Sequence, residues 1–352
     1  MQATFRCAAA ILALSSARAA LFGQVADAPV EPVSDVARQM PLVTGAFGFL
    51  TDLQSQHQQF GPKFEPILLL PFANRFLIET EYSTELPVVR DDGRLGPALL
   101  NHSVEYMQLD YSATSWLTVV GGYFVTPFGI YKERIDPLWI RNLIDVPLLF
   151  PVNDNSSNGV MARGAFFVQP WVKVNYAASF SAAVGNSQFT SQRQSSDRVG
   201  LVFPKQRLEI GASYTRVFNP VAHYDVHGFD ISWKPKQAPA EFRGEGVWSN
   251  QLGSGFWIEG AYRFSSSKYR FLRKSQIVAR PEHYSPSLVA ADINPDLPVN
   301  RTNRLTFGWN YWFGDYLRAN VAYAREWQAG VPGNVVTLGL VYRFTLPGEI
   351  VR

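Results

Sequence analysis

Apolar residues recur at every second position from Asn334 to Phe344. Val336, Leu338, Leu340, Tyr342 and Phe344 fall on one face, and Val335, Thr337, Gly339, Val341 and Arg343 on the other. A period of two is the strand period, because successive side chains leave opposite sides of an extended backbone. The alternation returns along the chain. In Tyr316 to Glu326, Leu317, Ala319, Val321 and Tyr323 oppose Arg318, Asn320, Ala322 and Ala324. In Phe256 to Phe264 the apolar face opposes Glu259 and Arg263, and in Arg75 to Ser83, Phe76, Ile78 and Tyr82 oppose Arg75, Glu79 and Glu81.

Sixteen such segments are predicted, at 42–52, 63–70, 75–85, 102–112, 116–125, 158–168, 173–184, 197–203, 207–218, 223–234, 240–249, 255–266, 273–281, 303–313, 316–327 and 334–344. Short links (71–74, 113–115, 169–171, 204–206, 314–315) alternate with longer polar ones at 86–101, 126–157, 185–196 and 282–302. A soluble propeller or sandwich would show repeats, or turns of similar length at both ends. The pattern instead predicts an all-β chain: a transmembrane antiparallel β-barrel of about sixteen strands, fourteen and eighteen being the alternatives. An Arg or Lys facing mid-membrane lipid costs ~2–4 kcal/mol, so the charged face belongs inside. That makes Arg75, Glu79, Glu81, Arg163, Lys173, Arg207, Glu209, Arg243, Glu245, Glu259, Arg263 and Arg318 the expected pore-lining residues.

Composition agrees. Aromatic residues make up 14% of the 352 residues and charged ones only 17%, which suits a barrel with aromatic girdles at two membrane interfaces. No later stretch holds the ~18 consecutive apolar residues of a membrane-crossing helix. Residues 1–19 read as a signal peptide: Arg6 is the positive start, Cys7 to Leu14 the apolar core, and Ala17-Arg18-Ala19 a small-x-small cleavage site. Cleavage takes the formal charge from +3 to +1, which argues against nucleic acid as a partner. It also removes Cys7, the single cysteine, and with it any disulfide or thiolate chemistry. Residues 20–40 form a periplasmic lead-in, 41–345 the barrel and 346–352 a short periplasmic tail.

The link at 126–157 is long for a compact fold, and links of that length are functional or disordered. Its apolar residues, Leu138, Trp139, Ile140, Leu143, Ile144, Leu148, Leu149 and Phe150, demand burial, and the barrel mouth is the nearest place. Asp136-Pro137 reads as a helix start, predicting a short helix over Leu138 to Ile144. Folded inward, the loop brings Lys132, Glu133, Arg134, Asp136, Arg141 and Asp145 to a constriction, unless they pair among themselves. Thr126-Pro127-Phe128-Gly129, closing a strand ahead of this loop, resembles bacterial porins and, loosely, the phosphate-selective porin superfamily. That resemblance implies an outer-membrane channel with a structured loop in its lumen, and homotrimers among barrels of this size. Phosphate-selective members use arrays of lysine and arginine, whereas the inner charges here are of both signs.

The last strand resembles the C-terminal assembly signal of bacterial outer-membrane proteins, with Thr337, Gly339, Tyr342 and Phe344 in its places, and eight residues follow it. This implies the barrel-assembly machinery as a partner. None of the five histidines (His57, His102, His223, His227, His283) sits in a Gly-x-Ser-x-Gly or His-Glu-x-x-His setting. No catalytic residue, metal site or cofactor is therefore expected. Trp116, Trp171, Trp233, Trp248, Trp257, Trp309, Trp312 and Trp327 read as girdle, and Tyr106 as the best lumenal aromatic. The expected function is passive diffusion of small polar solutes or ions through a charged lumen narrowed by the loop. The alternative is a closed barrel, plugged by the loop, that serves scaffolding, adhesion or assembly.

Overall fold

The computed structural model describes residues 41–54, 57–153, 156–182, 193–218 and 223–347. The signal peptide and lead-in lie outside the described residues, as does the tail beyond 347. Eighteen strands occur in one antiparallel sheet: β1 Leu42–Leu53, β2 His57–Phe72, β3 Phe76–Glu85, β4 Val88–Asp91, β5 Arg94–Ala98, β6 Asn101–Ser112, β7 Thr118–Val125, β8 Ser156–Gln169, β9 Val172–Ala182, β10 Arg193–Phe203, β11 Leu208–Phe218, β12 His223–Trp233, β13 Ala240–Ser249, β14 Gly253–Arg263, β15 Ser275–Ser285, β16 Thr302–Trp312, β17 Leu317–Gln328 and β18 Val331–Pro347. Sixteen of them close a barrel, β1 pairing with β18 from Leu42↔Pro347 to Leu53↔Val336. Each of the sixteen predicted segments coincides with one of these. Closure leaves no open edge, the only way a sheet can satisfy its backbone in lipid.

β4 and β5 are the addition that periodicity did not reveal. They form a hairpin in the 86–101 link and extend the wall by pairing β4 with β2. At the rim where the chain enters β1 and leaves β18, every connection is a turn, although that between β14 and β15 includes one helical turn, Arg270–Arg273. The opposite rim mixes long links with short ones: Ala329-Gly330 suffices between β17 and β18.

Side chains alternate as the pattern predicts. Phe47, Phe49, Phe229, Phe307, Val321 and Leu340 are exposed on the outside, while Thr44, Glu65, Arg198, Glu259, Arg280 and Asn320 are buried inside. Aromatic pairs ring the outer face near the turns, including Trp171–Phe203 at 6.3 Å and Trp233–Phe242 at 5.5 Å. Phe344 faces outward and stacks on Phe64 at 5.6 Å, its ring covering Gly45, where the absent side chain leaves room for it. Two tryptophans depart from the girdle. Trp257 faces inward and is buried, and Trp312 lies inside under the Arg263 guanidinium, 4.4 Å from its ring.

Candidate functional site

The link from β7 to β8 folds into the barrel. Its apolar residues make outside water unfavourable, and burying a large aliphatic side chain stabilises by ~1.5–3 kcal/mol. Phe128, Ile130, Tyr131, Ile135, Leu148 and Leu149 form one core with Val226, Val247, Trp257 and Tyr284 of the wall. Leu138 and Ile144 pack on Ala46 and Val341, and Leu143 on Ala261, Val278 and Ala322. The wall makes seats by being small at these points. A Cβ at Gly48 would lie 2.6 Å from Leu138 Cδ2, and one at Gly339 2.7 Å from Ile144 Cδ1. Gly308 receives Leu143 in the same way.

Irregular backbone is tolerated at membrane depth only where protein or water satisfies it. Here the wall does so. Glu245 accepts the Ile130 and Tyr131 N–H groups, the latter at 2.7 Å, Glu65 accepts that of Leu138 at 2.9 Å, and Glu282 that of Leu148 at 2.7 Å. The carbonyls are matched by donors: Arg318 serves Leu138 (2.9 Å) and Arg141 (2.6 Å), and Asn310 and Asn320 both serve Asn142. Arg280 serves Asp145 at 2.8 Å, and Arg304 serves Val146 at 2.5 Å.

These clasps explain where helix forms. The loop carries short helical turns at Tyr131–Ile135 and Phe150–Asn153, but the stretch predicted as helix, Leu138 to Ile144, has a single turn, closed by the Ile140 and Arg141 N–H groups donating to the Pro137 carbonyl. Its carbonyls go to Arg318, Asn310 and Asn320, and its leucines point to separate seats, which one helical face could not reach.

The six loop residues expected at a constriction are held in pairs. Lys132 donates to Glu105 at 2.7 Å and lies 3.2 Å from Asp136, and Arg141 reaches Asp136 at 2.6 Å. Burial pushes the Asp136 carboxyl up, but Arg141, Lys132 and Lys63 outweigh it and hold that group below its ordinary value. Burial drives the Tyr131 phenol up to about 12. Asp145 accepts from the Thr337 hydroxyl at 2.7 Å, and Arg134 crosses to Glu209 at 2.8 Å. Glu133 is exposed, 3.7 Å from Arg134 and within electrostatic range of Arg163 and Arg198 on the facing wall.

Ten of the twelve expected wall charges lie on the inner face of their strands. Glu245, Glu259, Arg243 and Arg318 are buried under the loop, with Arg243 2.7 Å from Glu259 and Glu259 accepting from Asn142 at 2.9 Å. Glu79, Arg163 and Glu209 lie on the less covered side, Arg163 between Asp110 and Glu79. Glu81 is buried nearby, Lys173 starts the inner face of β9, and Arg263 covers Trp312. Arg75 and Arg207 are instead exposed in turns, because β3 begins at Phe76 and β11 at Leu208, so strand alternation does not reach them. Arg207 has φ +53°, a turn conformation. Tyr106 faces inward at a bulge, where the register shifts between Glu81 and Tyr82.

Several central residues were missed. Arg198 bridges Glu209 (2.9 Å) and Asp230 (2.7 Å), and Arg280 and Arg304 both bind Glu282. Their period-two positions were legible, but their pairing depends on register, which one sequence does not contain. Arg280 lies within the predicted strand 273–281, whereas Glu282 falls one residue beyond its end.

The loop leaves charge accessible on one side. Side-chain exposure is 36% for Arg134, 33% for Glu133, 25% for Glu105 and 22% for Arg163, against 1% for Arg280 and 2% for Glu259. A cavity of about 200 Å³ also lies beside the loop, lined by Asp52, Asp145, Glu326 and Arg304 among others. No group of three or more His, Cys, Asp or Glu among the described residues is arranged to hold a metal. The histidines lie toward the rim of the long links, and His227 stacks on Trp248 at 5.3 Å on the outer face.

No protein-family model matches the sequence, and no curated protein matches it. Solved structures do. OmpF of Salmonella typhi, in complex with daunomycin, gives a TM-score of 0.60 at 7% identity, covering 87% of this chain and 98% of that one. OprB of Pseudomonas putida at high pH gives 0.57 at 9%, covering 87% and 94%. An anion-selective porin from Comamonas acidovorans gives 0.56 at 9%, covering 86% and 100%. This chain is a sixteen-stranded barrel with the fold of the bacterial outer-membrane porins.

Proposed function

We propose that the protein is an outer-membrane porin, a passive diffusion channel for small polar or ionic solutes, with loop 126–157 narrowing its lumen. One observation carries this reading: opposite the loop, the wall from β6 to β11 keeps accessible charge, with Glu133 and Arg134 facing Arg163 and Glu209, behind which lies the buried Arg198. Charges held against each other around a narrow path orient polar solutes and set ion preference. The accessible groups lean acidic: Glu105, Glu133, Asp136 and Glu209 against Arg134, Arg163 and Lys63, with Asp52, Asp145 and Glu326 against Arg304 at the side cavity. The channel therefore favours cations. Its partners are membrane lipid, the barrel-assembly machinery reading Thr337 to Phe344, and the solutes; homotrimers follow from the resemblance, and the mature chain begins at Ala20.

The plugged barrel has its own support, since the loop touches the wall at β2, β6, β11 and β13 to β18. Single-channel conductance of the purified protein in a planar bilayer, under a salt gradient, decides between them. Steady openings with a cation-favouring reversal potential support the channel. Deleting Asp136 to Asp145 then enlarges the conductance. Silence from a folded, heat-modifiable barrel overturns the channel and favours the plug.

A further inference from the structure

We propose that the rim formed by the turns is a docking surface for anionic phospholipid headgroups, centred on the β14–β15 turn; the inference rests on the barrel spanning a membrane, not on conduction. Seven turns join strands at this rim: 73–75, 113–117, 170–171, 204–207, 234–239, 264–274 and 313–316. Together they hold nine lysines and arginines and one acid, Asp315. At the opposite rim, the described links outside the inward loop hold three cations (Arg90, Arg94, Arg301) and four aspartates. The asymmetry therefore belongs to one end of the barrel.

The 264–274 turn is the densest, with Lys268, Arg270, Arg273 and Lys274. Its height is fixed by Phe271, whose ring lies 5.3 Å from Trp309 and 5.1 Å from Tyr311, both on the outer face of β16. Outward aromatics of this kind mark the membrane–water interface. Cations just beyond them stand at headgroup level, where anionic lipid attracts each one. Arg270 and Arg273 are exposed, and neither has an ion pair among the described residues. Cations recur beside aromatics around the rim: Lys234, which pairs with Glu241 at 3.0 Å, follows Trp233, and Lys205 comes two residues after Phe203. A soluble partner would engage one patch, whereas a leaflet meets the whole ring.

The test reconstitutes the full-length barrel in bilayers containing brominated phosphatidylglycerol or brominated phosphatidylcholine, with tryptophan quenching as readout. Subtracting the W309F variant isolates the local reporter beside Phe271. The wild type is expected to prefer the anionic lipid roughly fivefold, the equivalent of one retained headgroup contact. The preference falls with salt and approaches unity in K268Q/R270Q/R273Q, whose folding is checked by heat-modifiable migration. Equal affinity for both lipids in the wild type overturns the proposal, as does an unchanged preference in the triple variant. Loss of binding to isolated cell-wall sacculi with unaltered lipid preference also overturns it, giving the turn a glycan partner. Quenching by the zwitterionic lipid reports insertion itself, so a barrel that does not span the bilayer is distinguished from one that lacks the preference.

Discussion

Replacing Glu245 by alanine removes the acceptor shared by the Ile130 and Tyr131 N–H groups and the Trp257 indole, 3.2 Å away. All of these groups are buried, so water does not simply take over. Hydrogen bonds to a charged acceptor contribute ~1.5–3 kcal/mol each. The two backbone bonds alone therefore amount to about 3–6 kcal/mol, part of which is offset because the variant no longer buries a carboxylate. A net weakening of about 2–3 kcal/mol remains, or roughly 30- to 150-fold in the opening of the Gly129–Ile135 segment. Hydrogen exchange read by mass spectrometry tests this directly. Peptides covering 129–135 should exchange faster by that factor, while β15 to β18 peptides from the same sample stay unchanged. Glu245→Gln keeps an acceptor oxygen without the charge and should accelerate exchange by less than about tenfold. Unaltered exchange in Glu245→Ala would show that the Gly129–Ile135 segment is held by its apolar contacts and other polar partners, without need of the Glu245 acceptor. Equal damage from both variants would show that net charge matters rather than the acceptor.

Three further outcomes are expected. Glu133→Lys moves the reversal potential toward anions, because Glu133 is the exposed loop carboxylate facing Arg163 and Arg198; a shift toward cations refutes that placement. Asp136 has a lowered pKa in the folded state, so its contribution is fully present above the ordinary aspartate value and is lost as pH falls through its own lower value. Wild type and Asp136→Asn should thus differ in conductance noise at neutral pH and converge only in acid below the ordinary aspartate range. Gly48→Leu fills the seat of Leu138 and costs ~1–3 kcal/mol by overpacking; limited proteolysis should then cut the loop between 130 and 145, and resistance equal to wild type contradicts the seat.

The barrel was legible because lipid outside and charge inside impose a period of two on each strand separately. Phe256 to Phe264 reveals its facing without knowledge of its neighbours. The hairpin at 88–98 was not, since it lies beyond the apolar band and carries no such signal. The loop's inward fold could be read from its leucines, but its backbone path could not. That path is set by Glu65, Glu245, Glu282 and Arg318, which lie far away in sequence, so the local helix signal at Asp136-Pro137 lost to contacts no local pattern encodes. Arg198 with Asp230 shows the same limit: each was readable as inward, but their pairing was not.

The seats of Leu138 and Ile144 have a consequence for the order of assembly. Gly48 and Ala46 lie on the first strand, and Gly339 and Val341 on the last, so the seats come together only at the seam where the two ends of the chain meet. The loop belongs to the middle of the chain and is made long before its resting place exists. It must wait in an unfinished sheet, with its leucines uncovered, until the seam is sewn. Such long-range contacts form late. Docking of the loop is therefore a built-in report that the barrel has closed, and a chain lacking its final strand would keep that loop open to any protease that surveys unfinished barrels.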